Sequence, residues 1–144
     1  MILTSPCFNN NQKIPQNYTC SGEDVNPELH IEDIPKEAKS LVLIVDDPDA
    51  PSGNWVHWIV WNVPIINLIK ENSCPGIVGV NDFRKNSYNG PCPPSGTHKY
   101  CFKIYALDIK LDLSKNSSKK EVLNAMKNNV LAEASIVGLY QRFK

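Results

Sequence analysis

Arginine is scarce in this sequence and net charge is absent. Of 15 basic residues 13 are Lys and only two are Arg, and 15 acidic residues balance them. A neutral chain lacks the basic excess that nucleic-acid binders and electrostatically attached membrane proteins carry, so neither partner is expected. Long apolar runs are missing too. The most apolar stretches, 40–45 and 56–66, fall far short of the roughly 20 residues that cross a bilayer, which excludes stable membrane insertion by a helix. There is no Cys-x-x-Cys, Gly-x-Ser-x-Gly, phosphate-cradling P-loop or compact His pair. These absences argue against thioredoxin-like, hydrolase, nucleotide and zinc chemistry, so no cofactor and no metal is expected. The lysine excess, with many Asn and Ile, reads as an AT-rich genome rather than as a function.

Met1–Pro6 carries neither a basic n-region nor an apolar h-region, so a signal peptide is not expected and the chain reads as cytoplasmic. Five cysteines, Cys7, Cys20, Cys74, Cys92 and Cys101, are odd in number and irregular in spacing. In that compartment they read as buried, reduced thiols. The sequons at Asn17 and Asn116 then carry no meaning.

What is present is an ordinary globular composition, 42% hydrophobic and 21% charged, over 144 residues. That is one domain, 1–144, large enough for its own core. Eleven prolines leave little room for helices of ordinary length. Between them lie short β-rich runs at 40–45, 56–61 and 100–106, the first apolar on both faces like a central strand. One helix is expected, opened by the capping-box pattern Ser118-Lys-Lys-Glu121 and carried by Val122, Leu123, Met126 and Val130, with Asn128-Asn129 as its stop. Residues 134–140 lean towards a last strand, because Gly138 is costly inside a helix. The fold class is mainly β.

Three segments stand out chemically. Asp46-Asp-Pro-Asp49-Ala-Pro51 follows the central strand; it is either a solvated Asx-type turn or a loop holding a carboxylate towards a pocket. Ala50-Pro51 is a candidate cis bond. In Trp55-Val-His57-Trp58, the histidine heads a hydrophobic strand, as a satisfied core group or a pocket residue, and Trp55 or Trp61 could wall that pocket. In Gly90-Pro-Cys92-Pro-Pro94-Ser-Gly96-Thr-His98-Lys-Tyr100, a Gly/Pro loop delivers His98 and Tyr100 to one face of a strand. The bland alternative there is a surface hairpin. His30 lacks such a setting and reads as structural. Two histidines, a tyrosine and backbone amides suit a small oxyanion. A carboxylate among them would orient an imidazole or meet an ammonium group.

Together, Asp47-Pro-Asp-Ala-Pro51, Trp55-x-His57-Trp58 and Gly90-Pro-x-Pro-Pro94 with Gly96-x-His98-x-Tyr100 resemble the phosphatidylethanolamine-binding protein (PEBP) family, in its bacterial and archaeal Raf-kinase-inhibitor-like branch. The likeness extends to Tyr18–Gly22, Asn26–Leu29 and Leu131–Tyr140. It implies a large antiparallel sheet packed on a smaller one, with one or two peripheral helices. It also implies a pocket for a small anionic or phosphorylated ligand, with Asp47, Asp49, His57, Pro94, His98 and Tyr100 as ligand-binding residues. A kinase or serine protease partner and a homodimer are further implications. This chain departs from the pattern at Cys92, where glycine is common, and at Lys99, where arginine is frequent. It has no counterpart, after Lys144, of the long C-terminal helix of eukaryotic relatives, which implies a more open pocket.

The leading expectation is a non-enzymatic anion-binding protein. Against it stand a protein-inhibitor module acting through the loop 66–89 with a vestigial pocket, and an enzyme using a metal on His57, His98, Asp47 and Cys92 or a Cys92–His98 nucleophile pair.

Overall fold

The computed structural model describes residues 1–142. Along them run β1 (Ile2–Thr4), β2 (Gln12–Lys13), β3 (Leu29–Glu32), β4 (Ser40–Asp47), β5 (Trp55–Val63), β6 (Leu68–Ile69), β7 (Ile77–Val78), β8 (His98–Leu107) and β9 (Val130–Tyr140). A single turn of 3-10 helix covers Gln16–Tyr18, and α1 (Lys119–Met126) precedes β9. The strands form a six-stranded sheet in the order β2-β9-β8-β4-β5-β7 and a three-stranded sheet, β1-β3-β6. All pairings are antiparallel except the two-residue contact of β2 with β9.

Every residue of β4 is buried. Period-two alternation explains how both faces are covered. Leu41, Leu43 and Val45 meet Trp58, Val60, Phe102 and Ile104 from neighbouring strands and Leu3, Leu29, Ile31 and Ile69 from the small sheet. Val42 and Ile44 point the other way, against Ile59, Trp61 and the Val122 and Met126 side chains of α1. The small sheet is thus one lid of the core and α1 part of the other.

The three β-rich runs are strands, each longer than its apolar core, and 130–140 is a single strand paired with β8 throughout. Helix α1 starts at Ser118, whose N–H donates to Glu121 Oε1 at 3.3 Å. It stops where Asn128 takes a left-handed φ of 70°. Val130, at helical spacing in the sequence, instead opens β9, and Leu123 is exposed.

One expectation needs correction, and two open points are decided. Cys20 and Cys92 form a disulfide, leaving Cys7, Cys74 and Cys101 as free thiols, of which Cys74 is exposed. A pairing across 72 residues leaves no trace in cysteine spacing. A cystine is characteristic of oxidising compartments, so it runs against the cytoplasmic reading from which reduced thiols were expected. No cis peptide occurs among the described residues, so Ala50-Pro51 is trans. Finally, 66–89 is not a free loop, because β6 and β7 dock parts of it on both sheets. Among the described residues no helix is long and apolar enough to cross a membrane.

Alkylation of the denatured protein should find three thiols before reduction and five afterwards. Cys92→Ser should lower the unfolding free energy by about 2–4 kcal/mol in a denaturant titration. Five thiols without reductant would refute the pairing.

Candidate functional site

The C-terminal end of β4, the start of β5 and the start of β8 surround a cavity of about 280 Å3. Asp47, His57, Pro94, His98 and Tyr100 all line it. Asp49 does not: it is exposed, and its Oδ2 accepts the Lys99 backbone N–H at 2.9 Å, fastening the acidic loop to the start of β8. The remaining wall is Ala50, Pro51 and Ser52 of that loop, with Trp55, Phe83 and Cys92.

A β-bulge aims His57. Val45 pairs with Trp58, but the next residue of β4, Asp46, pairs with Val56, so His57 is the extra residue in β5. The irregularity lets His57 turn to the cavity while its neighbour Trp58 stays in the core beneath it. Its carbonyl leaves the ladder and accepts Asn81 Nδ2 at 3.1 Å and the Asn89 N–H at 3.2 Å. The His57 Nδ1–H donates to the Asn89 carbonyl at 2.6 Å. A carbonyl can only accept, so the neutral ring carries its proton on Nδ1 and a lone pair on Nε2. Burial lowers the His57 pKa, opposed by the Asn89 carbonyl and the Asp47 charge.

His98 and Tyr100 share a face of β8, as their spacing requires. His98 Nδ1 lies 2.7 Å from Asp47 Oδ2, a buried contact between two paired strands. Asp47 Oδ1 accepts the Asp49 N–H at 2.8 Å, so the carboxylate is held from two sides. The Tyr100 hydroxyl is different. Its oxygen is buried and no protein group offers it a hydrogen bond of good geometry, though Asp47 and the Cys92 backbone are close enough to act on its ionisation. Burial first, then the Asp47 charge, pushes its pKa far above the usual tyrosine range, so it remains a protonated donor. The rings enclose one another edge-on: His57 stands at 5.3 Å from Tyr100 and 5.2 Å from Phe83, and Phe83 at 5.6 Å from Trp55.

Two residues that organise this site were not singled out in the sequence. Asn81 is buried, and its Nδ2 lies within 3.1 Å of the His57 and Ser87 carbonyls and Asn89 Oδ1. Its Oδ1 accepts the N–H groups of Phe83 and Lys85. It therefore shapes the loop that presents Phe83 and Asn89. Asp24, with φ 59°, accepts the Gly90 N–H at 2.7 Å, where a side chain at position 90 would collide with the Tyr18 carbonyl. Nothing local in the sequence distinguishes a buried Asn from the chain's many exposed ones.

Cys92 is bonded to Cys20 and so offers no thiol as a nucleophile. Among the described residues no three His, Cys, Asp or Glu side chains are grouped to hold a metal. His30 pairs with Glu28 at 2.7 Å on the small sheet, away from the cavity. A larger open depression, about 360 Å3, lies on the outer face of β8 and β9 by Lys103, Tyr105 and Glu133, but contains no buried polar atom without a partner.

A family model described as phosphatidylethanolamine-binding protein matches residues 4–141. A UPF0098 protein of Methanothermobacter thermautotrophicus is 47% identical, over 99% of both chains. One from Chlamydia muridarum is 42% identical, again over 99% of each. The crystal structure of CT736, a PEBP homologue from Chlamydia trachomatis, superposes with a TM-score of 0.95 at 38% identity, covering 99% of this chain and 97% of that one. YbcL of E. coli, described as a member of the mammalian PEBP family, superposes at 0.90 with 29% identity over 98% of each.

Replacing Asn81 by Ala should cost about 2–3 kcal/mol of stability and disorder the wall carrying Phe83, read by denaturant unfolding and by loss of the His57 ring-current shift. A stability change below about 0.5 kcal/mol would show that Asn81 does not organise the loop.

Proposed function

The chain belongs to the phosphatidylethanolamine-binding protein family, and on that footing we propose that it is a non-enzymatic binding protein whose cavity takes a small oxyanion, either phosphate or the phosphoryl group of a larger ligand. The observation that carries this reading is the Tyr100 hydroxyl, a buried donor on the cavity wall to which no protein group offers a hydrogen bond of good geometry. An unpaired buried donor costs roughly 1–3 kcal/mol, which a ligand oxygen would recover. The His57 and His98 rings each spend Nδ1 on the protein, which leaves Nε2 for a ligand.

Neutral His57 presents a lone pair there, which repels an oxyanion. Binding therefore draws a proton onto Nε2, and the bound anion raises the pKa that burial had lowered. The sign follows. The complex holds more protons than the free protein, so affinity is greatest at low pH and falls as pH rises through the histidine range. Asp47 opposes the anion by charge and assists it by holding His98.

Sulfate keeps its charge between about pH 5.5 and 8, so a titration with it isolates the histidine contribution; affinity should fall at least tenfold over that interval. A flat profile would remove the proton-coupled mechanism. Tyr100→Phe should leave the stability of the ligand-free protein within about 0.5 kcal/mol, because no bond is lost, while weakening phosphate binding on the order of tenfold. Binding unchanged in that variant would dispose of the hydroxyl as a ligand group.

A further inference from the structure

The cavity wall contains a carboxylate, Asp47, and no lysine or arginine. Lys99, between His98 and Tyr100, lies on the opposite face of β8 and is exposed. At high pH, where His57 is hardest to protonate, an anion entering beside Asp47 gains from a permanent cation outside the lining. Arg142, just past β9, stands in position to supply it. Its Nε–H donates to the Pro93 carbonyl at 3.1 Å, and its Nη1 lies 3.6 Å from the Cys92 Sγ. Cys92 and Pro94 are both wall residues, so the guanidinium lies beside the loop that forms this wall, with Nη2 engaged by neither contact.

Building on the oxyanion reading above, we propose that Arg142 is a specificity-determining residue that reads ligand charge at the rim, favouring dianionic phosphate over monoanionic carboxylate. A guanidinium suits this work because it stays charged at any working pH and its planar fork fits two phosphate oxygens. The Pro93 carbonyl fixes its orientation in advance, so little side-chain freedom is lost on binding.

The test is a titration of the intact protein at fixed pH, near 8, with inorganic phosphate and separately with acetate, following the His57 and His98 ring resonances. Arg142→Gln should weaken phosphate on the order of tenfold and leave acetate within about twofold; Arg142→Lys, which keeps charge without the fork, should fall between. Equal losses for both anions would mean that Arg142 only supports the loop, and phosphate affinity unchanged in Arg142→Gln would also overturn the assignment. If the unaltered protein shows no saturable shift with either anion at millimolar concentration, both near pH 8 and near pH 5.5 where binding is strongest, the oxyanion reading fails and takes this proposal with it.

Discussion

Alternation along one strand buried on both faces governs where this protein keeps its charges. Strand β4 ends in two adjacent aspartates, and the same period that sends Leu43 and Val45 to one core and Val42 and Ile44 to the other sends these carboxylates apart. Asp46 turns beneath α1, where Lys119 reaches it at 2.8 Å, Lys103 at 3.4 Å and Asn54 at 3.2 Å. Asp47 turns to the cavity and grips His98. Both carboxylates are tied to residues distant in sequence, although Asp46 takes its partners on Oδ2 and its buried Oδ1 has none. A slip of one residue in β4 would exchange the two environments and dismantle the cavity and the helix contact together.

The cavity is assembled from pieces that are rigid for different reasons. Strand pairing fixes His98 and Tyr100 opposite β9, where Gly138 faces Tyr100 and Ile14 packs so closely that a side chain at 138 would collide with it. A bulge aims His57, prolines stiffen the acidic loop and the 91–94 loop, and a buried amide shapes the segment bearing Phe83. The charged-group geometry thus rests on backbone constraints rather than on long side chains holding one another. Such a site is preorganised, and an entering ligand meets partners already in place.

Much of this was legible in the residues. The three β-rich runs, the capping box, the stop at Asn128 and the shared face of His98 and Tyr100 follow from local periodicity and turn chemistry, which act over a few positions. The three motifs also brought Asp47, His57, Pro94, His98 and Tyr100 to one wall. What escaped depends on distant partners. The Cys20–Cys92 bond, the role of Asn81 and the rim position of Arg142 are each decided by chain segments far apart in sequence. Asp49 shows the same limit within a motif: two residues from Asp47, it serves the Lys99 backbone because the loop turns it outward. The bulge belongs here too, since one extra residue in a strand is visible only once its neighbour's register is known.

The cystine divides the chain topologically into a closed ring, residues 20–92, and two open arms. Asp47, His57 and Phe83 belong to the ring, whereas His98, Tyr100 and Arg142 belong to the C-terminal arm. Neither part alone holds the complete cavity wall, which forms only when β8 pairs with β4. Occupancy of the cavity is consequently a reporter of arm docking, and any ligand held there acts as a clasp between two lengths of chain that no covalent bond joins across that seam.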